Sequence, residues 1–423
     1  MKRVFSVAAV VALVAAIAIP VSAKTKAHNE FALAGEARAL ELAIGTQGVT
    51  LGMALAKADS APSAVGVGAG QCTLIGDDPD PNDLPCTEES SSQTDYPGSP
   101  GDGVEICGGT LPAPLGDIVK LRAACGASKS GVKGSLPYTT NKGRVAHLGV
   151  TLPVGAAIAD IPVDELVDTL TEALTPVLDK TPAVVQDAVE DVVDLIDGVA
   201  KTEALAVEVG PASSNVARKG NGIAVTSDAA GALIGVLGIP AGHLDGTNVS
   251  VESDPLKNGL LIIEVGRSTS SARWDNGSVS ATGVASAAIV TVKVRDITKP
   301  EPTYVTHTVA PGESLTLLAG TPAETTITAA VGTVEEDGTS AKAGADAVRI
   351  HALKGVNGGV ALSLGRTTAA VNGKQVLAKP PVVKAPPKVL PFTGGIDRTW
   401  QALGLIGLGA AAFGLRRRFR SSH

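Results

Sequence analysis

Four cysteines, Cys72, Cys86, Cys107 and Cys125, are the most reactive side chains of this chain, and all fall in one stretch. An even count in an oxidising compartment implies two disulfides. Three pairings are possible, and the short Gly-, Pro- and Asp-rich loops between neighbours favour Cys72–Cys86 and Cys107–Cys125. A zinc site lacks its signature, because no Cys-x-x-Cys pair or nearby histidine occurs. The six histidines, His28, His147, His243, His307, His351 and His423, show no two-ligand helical spacing and adjoin no recognisable nucleophile. Asp78, Asp80, Asn82 and Glu89 have the oxygen-ligand spacing of a calcium loop. However, Pro79 and Pro81 stiffen that turn and Asp83 stands where a glycine is required, so an acidic loop closed by a disulfide is the reading. The stretch "GVGAGQ" (66–71) lacks the third glycine of a dinucleotide fingerprint. A glycoside hydrolase would need paired carboxylates across a cleft, and none can be nominated. No catalytic residue, metal or cofactor is expected.

The two ends carry the stronger signals. Lys2 and Arg3 precede an apolar run from Val4 to Pro20, and Val21-Ser22-Ala23 offers small residues to a signal peptidase. That is a secretory signal cleaved between Ala23 and Lys24. At the other end, Trp400 to Leu415 is a run of 16 residues without a charge, followed by Arg416, Arg417, Arg418 and Arg420. Such a run is short for a stable span, and positive flanks stay on the cytoplasmic side. Ahead of it, Leu390-Pro391-Phe392-Thr393-Gly394 reads L-P-x-T-G.

Motif, apolar run and basic tail, in that order over the last 34 residues, resemble the cell-wall sorting signal of sortase-anchored surface proteins of Gram-positive bacteria. The resemblance implies that a sortase cysteine attacks the carbonyl of Thr393 and releases the segment from Gly394 onward. Thr393 then passes to an amine of a peptidoglycan precursor. The chain is the substrate in that reaction, and the covalent catalysis belongs to its partner enzyme. Polymerising pilins carry a Tyr-Pro-Lys motif; the nearest match here, Tyr96-Pro97-Gly98, lacks the lysine.

Composition sets the remaining bounds. The product from Lys24 to Thr393 would carry 28 basic against 41 acidic side chains, a net charge near −13. A chain this acidic does not bind nucleic acid, whose phosphates require a basic footprint. Between Lys24 and Leu390 the aromatic residues are Phe31, Tyr96, Tyr138, Trp274 and Tyr304. The core must therefore be aliphatic, and little remains for the aromatic platforms on which sugars stack.

The elements that would position these residues read as mainly β, either tandem β units or a β-sandwich, with an inserted amphipathic helical pair and a disulfide-stapled loop region. Residues 1–23 are the signal, 24–70 an N-terminal β segment and 71–155 a Cys-containing, loop-rich region. In 156–200, Val163, Leu166, Val167, Leu170 and Leu174 recur at three and four, as do Val185, Ala188, Val189 and Val192. Pro162 and Pro182 sit at first turns, Thr181 is a plausible N-cap and Gly198 a stop. The acids Asp168, Glu172, Asp187 and Glu190 mark the solvated face.

Residues 201–373 contain three related stretches, "LAVEVGPASSNVARKGNG", "LIIEVGRSTSSARWDNG" and "VALSLGRTTAAVNG". Each reads as a strand, a glycine, a Ser/Thr/Ala run and an Asn-Gly turn. Residues 374–389 are an extended Pro/Lys spacer, and 390–423 the sorting signal. The sum is an exported, peptidoglycan-anchored surface protein. Its expected partners are sortase, peptidoglycan and a host or neighbouring-cell surface protein, with a passive coat as the alternative. If the cysteines are read correctly, alkylation of the exported protein under denaturing, non-reducing conditions should label none of the four; two or more labelled thiols would refute the disulfide framework.

Overall fold

The computed structural model describes residues 28–44, 47–61, 63–73, 86–95, 101–102, 105–109, 111, 116, 119–133, 136–151, 163–198, 204–238, 254–299, 301–321, 323–354 and 359–376. The signal segment with Ala23 and Lys24, the residues Asp78, Asp80 and Asn82, most of the spacer, and Leu390 to Gly394 all lie outside the described residues. Ala27–Val376 is one compact unit.

Its first strands are β1 (His28–Ile44), β2 (Gln47–Asp59), β3 (Ser63–Thr73), β4 (Cys86–Asp95), β5 (Gly101–Asp102), β6 (Ile106–Gly108) and β7 (Val119–Leu121). Then come β8 (Ala124–Lys133), β9 (Leu136–Val145) and β10 (His147–Val150), before helices α1 (Val163–Leu178) and α2 (Pro182–Gly198). Beyond them run β11 (Leu205–Val209), β12 (Ala212–Lys219), β13 (Gly222–Ala229) and β14 (Ala232–Gly238), then the single turn α3 (Pro255–Asn258). The chain continues through β15 (Gly259–Val265), β16 (Ser268–Asp275), β17 (Ser280–Ser286), β18 (Val290–Arg295), β19 (Tyr304–Val309) and β20 (Ser314–Leu317). It closes with β21 (Thr325–Thr328), β22 (Gly332–Glu336), β23 (Ser340–Ala345), β24 (Val348–Ala352) and β25 (Val360–Val376).

The protein is mainly β, in three antiparallel sheets. Sheet I has the order β20-β21-β24-β25-β1-β2-β3-β4, with the β22–β23 hairpin joined to β25 through β23. Sheet II is β17-β16-β13-β12-β9-β8-β5, with β6 also on β8, and sheet III is β19-β18-β15-β14-β11-β10-β7. Sheet II lies over part of sheet I almost strand for strand: β17 on β23, β16 on β25, β13 on β1, β12 on β2, and β8 on β3 and β4. This is a sandwich, and the composition-based segments are not its boundaries. The first strand β1 pairs along its length with the last, β25, and β9 pairs with β12.

The three related stretches acquire a structural meaning here. In each, the strand runs from one side of a bend to the other across the shared glycine: β11 into β12 over Gly210, β15 into β16 over Gly266, and β25 past Gly365. The inward-facing residues step by three at that point, from Val209 to Ala212, Val265 to Ser268 and Leu364 to Thr367, instead of by two. This slip resembles the local insertion of a β-bulge, which bends a strand. In sheet I the bend needs left-handed backbone, and Gly52 (φ 68°) and Gly365 (φ 75°) supply it without a Cβ penalty. Two Asn-Gly pairs lie at hairpins, but not as the turn pair itself: the loop between Lys219 and Gly222 is Gly220-Asn221, with Gly220 at φ 64°, and the loop between Asp275 and Ser280 has its left-handed residue at Val279 (φ 51°). The third, Asn372-Gly373, instead lies inside β25, where glycine serves close packing: a Cβ on Gly373 would sit 2.5 Å from Cε3 of Trp274.

The bend separates two interiors. Between sheets I and II the core is polar in one part, beside an apolar cluster that includes Phe31, Leu33, Val216, Ile223, Val225 and Trp274. Asn141 accepts hydrogen bonds at Oδ1 from Ser128 Oγ (2.8 Å) and Thr139 Oγ1 (3.0 Å), and its Nδ2 donates to the Ser214 carbonyl (2.9 Å). Ser214 and Ser227 pair at 3.0 Å, as do Ser270 and Thr367 at 2.8 Å. All are buried, so each bond replaces one that water would otherwise make. Beyond the bend the core is aliphatic, and one buried cluster joins Leu40, Leu42 and Leu362 of sheet I to Leu205, Ile234 and Val292 of sheet III. Val167, Leu170, Leu174 and Leu178 of α1, and Val185 and Val189 of α2, belong to the same cluster. Burying these six helical side chains is worth on the order of 10 kcal/mol before ordering costs. Asp168, Glu172, Asp187 and Glu190 face solvent, as the periodicity requires. The Thr181 carbonyl opens α2 by accepting from Val184 N (3.1 Å) and Val185 N (3.2 Å).

The stretch around the cysteines holds more strand than its composition suggests, from β4 to β10. Its Ser, Thr, Asn and Gly residues read as loop because such residues normally face water; here several face a polar interior. Cys107–Cys125 is a disulfide between residues directly opposite in register. Cys72 is also disulfide-bonded and lies opposite Cys86. At the other edge, the β17 backbone is covered: Ala281 N donates to Gly338 O (2.8 Å) and Gly283 N to Glu336 Oε1 (2.6 Å), which blunts an edge prone to pairing with other chains. Gly373→Val should lower stability by roughly 1–3 kcal/mol, the range for overpacking a tight core, measured by denaturant unfolding; an unchanged midpoint would refute the close approach of β25 to Trp274.

Candidate binding groove

On the outer face of sheet I lies an open trough of about 740 Å³, within the size range of ligand sites. Strand alternation makes its floor. Phe31, Leu33, Ala369 and Val371 point into the sandwich, so Ala32, Ala34 and Ala370 point out. One row across the sheet reads Lys342–Ala370–Ala34–Lys57, and the adjacent row reads Ser340–Asn372–Ala32–Asp59. The turn from Glu335 to Asp337 forms one wall, and Lys57, Asp59 and Ser63 form the other.

The wall carboxylates are held by local hydrogen bonds. Asp59 accepts from Ala61 N (2.9 Å) and Ser63 Oγ (3.0 Å), an Asx-type turn. Asp337 accepts from Ser340 N (3.0 Å) across the Asp-Gly turn, where Gly338 has φ 74°. Hydrogen bonding to Ser340 holds the Asp337 carboxyl below the usual range. Lys57 and Lys342 have no ion-pair partner among the described residues, although Glu335 stands opposite Lys342 in register.

The groove lies where the chain enters and leaves the unit. His28 of β1 is directly opposite Val376 of β25, and the groove residues Ala32 and Asn372 are four residues from those ends. A second surface, the outer face of sheet II, is broad and polar. Thr140, Asn215, Thr226, Ser271 and Val284 form one row across five strands, and Lys142, Ser213, Asp228, Thr269 and Ser286 the next.

None of these groove residues was singled out by the sequence; the faint signal was the alternation in "FALAGE" (31–36), which does not say which face is concave. The histidines are dispersed: His28, His147, His307 and His351 lie on β1, β10, β19 and β24. Glu89 is on β4, opposite Ala69. Ligand atoms of Glu105, Cys107 and Cys125 come within 4.8 Å of one another, but both sulfurs are committed to the disulfide and offer no thiolate. Phe31 and Trp274 are interior, and Tyr138 and Tyr304 are half-buried.

No family model and no curated protein matches the chain. Among solved structures, weak likenesses include Pseudomonas aeruginosa OccK8 (OprE), at 7% identity and TM-score 0.12, over 82% of this chain and 98% of that one. The translocator domain of the autotransporter NalP from Neisseria meningitidis gives 10% and 0.09, over 88% and 98%. The outer membrane protease OmpT from Escherichia coli gives 8% and 0.09, over 82% and 97%. Scores this low carry no argument. No helix among the described residues is long and apolar enough to cross a membrane.

The depressed Asp337 value has a direction. A carboxyl more acidic folded than unfolded stabilises the turn above its unfolded value, and that contribution is lost as pH falls through the folded one. The protection factor of the Ser340 amide, its exchange rate relative to the intrinsic rate, should therefore fall on acidification, and Asp337→Asn should remove that pH dependence; a wild-type protection factor that does not change with pH would refute the contact.

Proposed function

We propose that the protein is a sortase substrate, covalently fixed to peptidoglycan through Thr393, whose sandwich is displayed outside the cell as a binding module. The observation that carries this reading is the ordered signal at the C-terminus: Leu390 to Gly394, the uncharged run from Trp400 and the arginines after it, in a chain that opens with a secretory signal. The fold is compatible with that use. Both ends of the unit leave from one place, so a single tether presents the rest of the molecule outward. Disulfide closure at Cys107–Cys125 suits an oxidising exterior.

Binding to a host or neighbouring-cell surface protein is the reading favoured for the outward surface. The polar face of sheet II supports it, since rows of Ser, Thr and Asn offer hydrogen bonds rather than aromatic stacking. Hydrolysis finds less support, because the groove carboxylates Asp59 and Asp337 are engaged by local backbone and hydroxyl donors. Thr393→Ala should move the protein from the wall fraction to the membrane or medium. Mutant and parent equally resistant to extraction by boiling detergent would overturn the anchoring assignment.

A further inference from the structure

We propose that the trough on sheet I binds the peptide strands of the wall polymer to which the chain is anchored: short peptides of small residues that carry both a primary ammonium and free carboxylates. The proposal rests on the wall-anchored reading and adds to it a second, non-covalent site for the same polymer.

Three observations converge on this ligand. The floor is flat and small, because Ala32, Ala34 and Ala370 project from adjacent strands; an alanine-rich peptide can lie on it, whereas bulky side chains gain no pocket. The polar groups carry both signs: Lys57 and Lys342 are basic, and Asp59, Glu335, Glu336 and Asp337 are acidic. Lys342 and Lys57 flank the alanines on one row, three strand spacings or about 14 Å apart. The adjacent row, about 7 Å along the strands, ends in Asp59, with the Asp337 turn at its opposite side. A ligand of one sign would meet repulsion from one set; a dipolar peptide meets complementary charge on both. The two lysines also have no ion-pair partner among the described residues, and each is available for a carboxylate.

The third observation is position. Ala32 and Asn372 lie beside the chain exits at His28 and Val376, so the trough opens at the tethered end. From Val376 to Thr393 there are 17 residues, which span at most roughly 60 Å. Polymer next to the attachment point is therefore always within reach. A short tether raises the effective concentration to the millimolar range, so a shallow site of low intrinsic affinity is filled once anchoring has occurred. Its consequence is orientation: one covalent and one non-covalent contact together fix how the sandwich stands on the wall.

The test uses the purified full chain and soluble wall peptides freed of sugar, titrated by calorimetry or NMR. Peptide with free amine and carboxylates should bind. The same peptide with its carboxylates amidated and its amine acetylated should bind at least tenfold more weakly, and the wall disaccharide alone should not bind. Lys57→Met with Lys342→Met should weaken the free peptide at least tenfold, and Ala34→Leu should block it by filling the floor. Thermal unfolding of each variant checks that the sandwich is intact. Binding of the capped peptide as strongly as the free one, binding of the disaccharide alone, unchanged affinity in both folded variants, or no peptide binding at millimolar concentration would each overturn the proposal. These outcomes are independent of Thr393: a Thr393→Ala chain should lose anchoring yet keep peptide binding in solution.

Discussion

The close approach of sheets I and II is the constraint on which the rest of the structure depends. Packed sheets usually stand about 10 Å apart, separated by interlocking side chains. Here glycines and alanines bring backbone near backbone, and a Cβ on Gly70 would come within 2.6 Å of the Ala124 carbonyl carbon. Sheets this close leave little volume for aliphatic side chains. Around Asn141 the interior is filled by Ser, Thr and one Asn, whose polar atoms must find partners because water is excluded; nearer Trp274 it is apolar. The network around Asn141 supplies them, linking β8, β9 and β12 through a single amide.

The polar part of that interior gives little hydrophobic stabilisation per residue, and the larger apolar cluster lies on the other side of the bend. There sheets I and III are separated widely enough for Leu, Ile and Val to fill the space together with α1 and α2. The bend is thus a division of labour along each strand. The thin half fixes register through hydrogen bonds and backbone contact; the thick half provides most of the apolar burial. The helix hairpin is tied to the sheets at its tip as well, where Lys180 lies 3.9 Å from the buried carboxylate of Asp296. Burial opposes the charge on Asp296, but hydrogen bonds from Thr298 and Lys299 and the charge of Lys180 outweigh it and hold it below its usual range.

Pairing the first described strand with the last has a mechanical consequence. A pull on the chain beyond Val376 would act on β25, which is flanked by β1 on one side and by β23 and β24 on the other. Many antiparallel hydrogen bonds lie in parallel against that load. The same pairing brings both exits from the unit to one point, beside the alanine-floored trough.

Sequence alone determined the strand-rich character, the helix pair and the points where the strands break. Periodicity at three and four located α1 and α2 because one face of each must be apolar. The Asn-Gly pairs marked two hairpins only approximately, since the left-handed residues are Gly220 and Val279. The Cys107–Cys125 pairing was legible because the two lie only 18 residues apart. Tertiary structure alone decided what the remaining glycines do. Gly373 follows an asparagine just as Gly277 does, yet one accommodates a tryptophan ring and the other turns the chain; local sequence cannot distinguish them, because the difference lies in a strand about a hundred residues away. The polar interior was hidden for the same reason. Ser, Thr and Asn inside a sandwich have the composition of a loop, and only the register that places Asn141 against Ser128, Thr139 and Ser214 makes them a core. The trough was the least legible feature, since alternation gives a face and only the paired sheet gives that face a shape.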